Sequence, residues 1–499
     1  MPEILAFILL GIYLLGMVLI FIYSLAQGHL LLFFFKEKRN PQPTPSNPSE
    51  LPQITVQLPL FNEMYVAERL IDAVSKLNYP SEKLEIQILD DSTDQTKELI
   101  QEKLKEYPTI NFQYIHRTDR KGFKAGALKE GLEVAKGEFI AIFDSDFIPD
   151  PNFLLQTIPW FSDSKVGMVQ SRWTHLNQHY SLLTRLQAFA LDAHFLIEQM
   201  GRNRQGAFIN FNGTGGIWRK ETILDAGNWH DDTLTEDLDL SYRAQRKGWK
   251  FIYRPEVESP AELPPIMSAI KSQQFRWTKG GAECAAKHGA AVLKTNLPAH
   301  VKIHAMAHLF NSTIFLAILI VSLSSIGVWW LVDQQILGPG WIQLASFSLV
   351  GFAIISLIYL VSYFYRKQHF FKSLFEAIFL LPLFLSVSMG MALHNTQAVM
   401  EGLTGKKSPF IRTPKFNLEG GKFSLRTNQY INLRMPITTW LEGALALVFI
   451  GMVVLGVFQQ NYLFLPFHLM LAVGYSLVFI SSFKSYCPRA IIHVSKSPN

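Results

Sequence analysis

The sequence predicts an α/β domain built on a largely parallel sheet and set between α-helical membrane segments. Three observations carry that expectation. Long apolar runs occupy the two ends of the 499-residue chain and spare its middle. Strand-like and helix-like patterns alternate from residue 54 to residue 260. Acidic clusters close two of the strand-like segments, at the edge where ligands of such sheets bind. Composition agrees: 49% hydrophobic and 13% aromatic residues exceed what a soluble enzyme carries, and the excess lies in the apolar runs.

The membrane elements follow from length and charge. Residues 4–35 contain no Asp, Glu, Lys or Arg, and Lys36-Glu37-Lys38-Arg39 comes next as a stop-transfer cluster. The run lacks a basic leader and is too long for a signal-peptide core, so it reads as a retained helix. Helices are expected near 7–30, 303–332, 341–365, 437–458 and 461–483. The apolar stretch 372–395 is interrupted by Glu376, Pro382 and Asn395 and is expected to be interfacial or re-entrant. Basic residues set orientation. Lys36 and Arg39, the Arg366-Lys367 pair, the stretch 406–434 (Lys406, Lys407, Arg412, Lys415, Lys422, Arg426, Arg434), and Lys484, Arg489 and Lys496 all fall inside if the chain crosses five times. The N-terminus is then outside and the middle domain cytoplasmic; six crossings with a basic loop outside are the alternative. This gives a helix at 1–36, a Pro-rich linker at 37–50, the α/β domain at 51–262 and interfacial helices at 263–300. A membrane pair at 301–366, an interfacial helix and loop at 367–436, a second pair at 437–483 and a cytoplasmic tail at 484–499 complete the chain. The net charge of +6 sits beside apolar segments, which points to lipid headgroups and not to nucleic acid. Cys284 and Cys487 form no disulfide framework or metal cluster and read as core residues.

Within the α/β domain, strands are expected at 54–58, 84–89, 112–115 and 139–143, and helices at 64–77, 94–106 and 123–135. No Gly-x-Gly-x-x-Gly comes after the first strand and no Gly-Lys-Ser/Thr loop occurs, which argues against dinucleotide oxidoreductases and P-loop ATPases.

Four clusters carry candidate chemistry. Asp144-Ser145-Asp146 ends a strand, and carboxylates two residues apart in extended chain point the same way. Their hard oxygens suit Mg²⁺ or Mn²⁺ bridging to a diphosphate; a polar turn before Pro149 is the plainer alternative. Asp90-Asp91-Ser92-Thr93-Asp94 ends another strand. Helix capping explains one acceptor there but not three carboxylates. Thr235-Glu236-Asp237 opens an amphipathic helix, where acidic residues also suit the helix dipole; the functional alternative makes Asp237 a general base. Gln273-Gln274-Phe275-Arg276-Trp277 precedes the second membrane helix. It is either an interfacial anchor or a phosphate contact (Arg276) beside a sugar platform (Trp277).

Together, in this order, the clusters resemble the processive family-2 glycosyltransferases of GT-A fold: the cellulose, chitin and hyaluronan synthases. The resemblance covers residues 50–420. Gln57-Leu58-Pro59-Leu60-Phe61-Asn62-Glu63, Lys124-Ala125-Gly126-Ala127-Leu128 and Asn210-Phe211-Asn212-Gly213-Thr214-Gly215-Gly216 are similar to the cellulose-synthase-like A and C enzymes, which make β-1,4-mannan, glucomannan or glucan. The resemblance implies a UDP- or GDP-hexose donor held by Asp90, Asp91, Lys124, Asp144, Asp146, Gln273, Arg276 and Thr413. It implies Mg²⁺ or Mn²⁺ on Asp144 and Asp146, catalysis by Asp237 with Glu236, and a glycan acceptor against Trp277, Phe211, Asn212 and Gly213. Phe410-Ile411-Arg412-Thr413-Pro414-Lys415 resembles a gating loop, with Arg412 where that pattern usually has Val. One base and a metal-held leaving group fit a single inverting displacement, with the polymer moving outward through the membrane helices. Compact loops suggest a bacterial plasma membrane, and export subunits are left open. A glycolipid synthase using a diacylglycerol, ceramide or polyprenyl acceptor, and an inactive scaffold or transporter, are the alternatives.

Overall fold

The computed structural model describes residues 2–486 except Pro339, 341–345, Arg366, Gln368, Pro409, 419–429 and 431–433. Arg366, Lys422, Arg426, Cys487, Arg489, Lys496 and the start of the helix expected at 341–365 therefore lie outside the described residues. The chain begins in α1 (Pro2–Arg39), whose last turn carries Lys36, Lys38 and Arg39, cations suited to a helix C-terminus.

The first half of the α/β domain runs β1 (Ile54–Leu60), α2 (Ala67–Val74), β2 (Leu84–Asp90), α3 (Thr96–Leu104), β3 (Phe112–His116), α4 (Phe123–Val134) and β4 (Phe139–Ile142). Near-continuous Val, Ile and Leu make β1, β2 and β4 fit for burial on both faces. Their few polar side chains are paired: Thr55 donates to Glu85 at 2.6 Å and Gln57 to Gln87 at 3.0 Å across β1 and β2. The second half adds α5 (Phe153–Thr157), β5 (Val166–His175), α6 (Leu182–Ala193), a π-helical turn at His194–Gln199, α7 (Met200–Arg204), β6 (Gly216–Arg219), α8 (Lys220–Asp225), α9 (Glu236–Arg246) and β7 (Lys250–Ala261). The seven-stranded sheet has the order β3-β2-β1-β4-β6-β5-β7, and only β6 runs against the rest. The chain winds outward from β1 through β2 to β3, then returns to place β4 on the other side of β1. That reversal opens a crevice beyond the carboxyl ends of β1 and β4.

The remaining helices are α10 (Met267–Leu293), α11 (Ala299–Leu309), α12 (Ile314–Asp333), α13 (Phe347–Tyr365), α14 (Phe370–Gly390), α15 (Ala392–Leu403), α16 (Ile437–Phe458) and α17 (Leu465–Tyr486). Among the described residues, six helices are long and apolar enough to cross a membrane: α1, α12, α13, α14, α16 and α17. The stretch expected to be interfacial thus forms an apolar helix, α14, with Pro382 inside it. Its middle packs on α6, through Leu380 against Leu186 and Phe189. Just past its end, Met391 packs with Met267 and Ile270 of α10. The sheet core also continues into the bundle, because Leu31 and Phe34 of α1 and Ile358 of α13 are buried with Phe195 and Met200 in one apolar cluster.

Candidate active site

Residues at and just beyond the carboxyl ends of the strands line the crevice at the switch point. Asp90 ends β2, fully buried. It accepts from Tyr114 at 2.7 Å and from the backbone NH of Ser92 at 2.9 Å. Asp91 takes a bidentate pair from Arg117, at 2.7 and 2.6 Å. Arg117 was not among the residues expected to act. Its signal is faint in sequence, a basic residue just past β3 and 26 positions from its partner.

Asp144 and Asp146 come directly after β4. Lys124, near the start of α4, reaches Asp144 Oδ1 at 2.5 Å, the carbonyl of Gly213 at 2.8 Å and Glu236 at 3.9 Å. This lysine ties the strand end to the N-terminus of α9. Gly213 permits the approach: with φ of +81°, a Cβ there would stand 3.0 Å from Asp237 Oδ2. Burial works against the Lys124 charge, yet Asp144 and Glu236 hold its pKa above the ordinary lysine value. Burial raises the Glu236 pKa against the pull of Lys124. Burial, and then the Glu236 charge, push Asp237 up to about 7.

The helix α10 closes the site from the side of the apolar helices. Met267, Ile270, Gln274, Trp277 and Gly281, spaced three or four apart, line one cavity. Gln274 therefore faces the cavity, and Gln273 does not line it. Arg276 sits on the neighbouring face, donates to Thr413 Oγ1 at 2.9 Å and lies 4.9 Å from the Phe410 ring. Burial lowers its pKa, opposed by Glu236, Asp144, Asp237 and Asp146, so one arginine feels four carboxylates. Gly280 lets α10 press on Thr235, where a Cβ would meet the threonine at 2.5 Å. Cys284, one turn on, is buried in the same interface.

The loop 410–418 lies across the crevice. Lys415 reaches Asp146 Oδ2 at 2.6 Å, Arg412 reaches Glu63 at 2.5 Å, Asn417 accepts from Arg69 at 3.1 Å and the Leu418 NH donates to Glu262 at 3.1 Å. Asn212 lines the cavity beside Asp237, His194 and Trp277, and accepts from Gln199 at 2.8 Å. Phe211 does not join it: fully buried, it packs on Trp218 and Trp229 beneath the loop. Trp173 lines the cavity instead, its ring 6.4 Å from that of Trp277.

The residues fit a divalent metal. Asp144 and Asp146 offer hard oxygens at one strand end, and Asp146 Oδ1 is buried with no hydrogen-bond partner among the described residues. A second grouping, His230, Asp232 and Asp239, already carries its counter-charges in Lys287 and Arg243 and reads as a structural network.

Residues 52–280 match the family described as "Glycosyltransferase like family 2", so the chain carries a family 2 glycosyltransferase domain. Among curated proteins it is similar to the probable glucomannan 4-beta-mannosyltransferase 7 of Oryza sativa subsp. japonica, 45% identical over 251 residues, 49% of this chain and 43% of that one. It is also similar to glucomannan 4-beta-mannosyltransferase 7 of Arabidopsis thaliana, 37% identical over 295 residues, 56% of this chain and 53% of that one. The chain thus spans about half the length of the curated relatives it matches. These matches agree with the expected kinship to the cellulose-synthase-like A group; being plant proteins, they lend no support to a bacterial membrane. A mannosyltransferase of Pyrobaculum calidifontis, solved with GDP-Man and Mn²⁺, shares the fold with a TM-score of 0.53 at 19% identity, over 80% of this chain and all of that one. The fold is GT-A.

Proposed function

We propose that the protein is an inverting hexosyltransferase that extends a β-linked, β-1,4 polysaccharide from a UDP- or GDP-hexose and passes the product through its helix bundle. The observation that carries this reading is one cavity of about 1020 Å³ lined both by Asp237, Asn212 and Trp277 and by Phe464 and Phe467 of the α16–α17 region. Ile314 and Val332 both line it, so it follows α12 for roughly 27 Å. An acceptor hydroxyl placed over Asp237 gives up its proton to that carboxylate as the oxygen attacks the anomeric carbon. Attack from the face opposite the diphosphate inverts an α-linked donor to a β-glycoside. Asp144 and Asp146 would hold Mg²⁺ or Mn²⁺, whose charge offsets the negative charge gathering on the leaving diphosphate. Lys124, Arg276 and Lys415 add fixed positive charge at the same place, and Thr413 orients Arg276. Trp277 and Trp173 offer flat apolar faces to the sugar rings. Gln274, Asn212 and His194 offer hydrogen bonds.

In this reading the catalytic domain is cytoplasmic and α14 stays at the interface. Two contacts support that placement: those of Leu380 with α6 and of Met391 with α10, both helices of the domain side. The test is incorporation of labelled hexose by membranes that carry the protein, from a panel of nucleotide sugars with divalent metal. Wild-type protein transfers label and Asp237→Asn, equally well folded, does not. Equal transfer by the two proteins contradicts the reading.

A further inference from the structure

The walls of the cavity are of two kinds. The carboxylates, amides and histidines that line it, among them Asp237, Asn212, His194, Glu198 and Gln274, come from the α/β domain and the helices beside it. Along α1 from Leu10 to Ile20, and along α12 from Ile314 to Val332, the lining side chains carry no polar group but the Tyr13 hydroxyl among the described residues. This apolar stretch also opens sideways. Leu349 and Phe352 of α13 and Leu463, just before α17, line the cavity and yet are 68%, 50% and 47% exposed. α13 packs on α1, α6 and α14, and α17 on α16, α14 and α10, so α14 is the support the two share. Phe347 of α13 meets the Phe21 ring of α1 at 5.1 Å, and Phe464 meets the Tyr13 ring at 6.1 Å. Those contacts set the two edges of the opening about 12 Å apart along α1. Since α1, α13 and α17 are all long and apolar enough to cross a membrane, the opening faces hydrocarbon. An apolar cavity that is continuous with hydrocarbon does not stay void, because its walls would forgo dispersion contacts. Water does not fill it either, for want of the polar partners that hold a buried water.

We propose that this stretch is a binding site for the acyl chain of a bilayer phospholipid, which enters between Leu349 and Leu463 and lies along Val321 and Val328 of α12. The chain buries its methylenes against aliphatic walls and gains what any apolar group gains on leaving water or a void. It also closes the path to water and ions, since neither finds a polar partner in a hydrocarbon-filled segment. The site requires the bundle to lie in a bilayer and does not rest on the transferase reading. A glycan that takes the same path displaces the chain through the opening by which it entered.

The experiment places the full chain in nanodiscs of a synthetic phosphatidylcholine whose acyl chain carries a diazirine. After illumination, mass spectrometry of the digest reads which residues are labelled. Val321 and Val328 line the cavity and are buried from the surface of the bundle, so label on them reports a chain inside. Leu447 of α16 is exposed and reports the surrounding lipid in every sample. Wild-type protein is labelled at each of these positions. Leu349→Trp and Leu463→Trp fill the opening from its two edges. Each variant, eluting as monodisperse protein, loses the label at Val321 and Val328 and keeps it at Leu447. Label at Leu447 alone in wild-type protein overturns the proposal, and so does label at Val321 that either variant leaves unchanged. A lipid-linked sugar that co-purifies in the cavity overturns it too: Val321 stays unlabelled and the extracted lipid carries hexose. Hexose transfer by the same nanodiscs is scored separately and bears on the transferase reading alone.

Discussion

Asp237 is a carboxylate whose pKa, pushed up to about 7 by burial and by Glu236, matches the work of a base near neutral pH. Only the ionised form accepts a proton, so kcat/KM rises with pH through about 7 and falls below it. Glu236→Gln removes the neighbouring negative charge and so lowers the Asp237 pKa. The acid limb of the pH–rate profile then moves to lower pH, and an unmoved limb means that Glu236 does not couple to the base. Asp237→Asn lowers kcat by roughly 10²- to 10⁴-fold, measured as label transfer at saturating donor. Asp91 makes a different prediction, because its partner is buried. Asp91→Asn leaves the Arg117 guanidinium without its bidentate carboxylate, at a cost of about 3 kcal/mol that thermal unfolding in detergent detects. An unchanged melting temperature contradicts the ion pair.

At the scale of elements, close helix contacts decide whether α10 and the loop hold their places. Gly390 and Gly474 bring α14 and α17 together so closely that a Cβ on Gly474 would stand 1.9 Å from the Ser386 carbonyl. Gly474→Leu therefore forces the helices apart, and the expected outcome is poor yield of monodisperse protein in detergent. Lys271 and Glu442 form a buried ion pair at 2.5 Å between α10 and α16. Lys271→Met strands the glutamate and costs about 3–5 kcal/mol, whereas adding Glu442→Leu restores most of the loss. If the double variant is no more stable than the single one, the pair is not the source of the cost.

At the scale of the molecule, the features legible in sequence were those that lie on single elements. Asp90, Asp91, Asp144 and Asp146 end apolar strands, and strand direction alone places them at one edge. Arg276 and Trp277 share a helix, so their spacing fixes neighbouring faces. Residues whose roles depend on distant partners were not legible. Arg117 acquires meaning only from Asp91, and Trp173 only from the cavity. Phe211 was expected, from the resemblance, to touch the acceptor, but its side chain is buried in the core while that of Asn212 faces the cavity. β5 was missed because buried Gln170 and Ser171 break its apolar run, and their partners Gly215 and Ser259 lie far along the chain. Composition left α14 ambiguous, since an apolar helix of 21 residues suits either a span or an interface.

The most direct test concerns the path from Asp237 along α12. Sealed vesicles carrying the protein with its catalytic domain outward are given a labelled nucleotide hexose and divalent metal from outside. The expected product is a long β-linked chain that collects in the lumen and resists added β-glycanase until detergent opens the vesicles. A short, chloroform-soluble glycolipid, or a polymer digested at once on the outer side, would contradict the passage of product through the bundle.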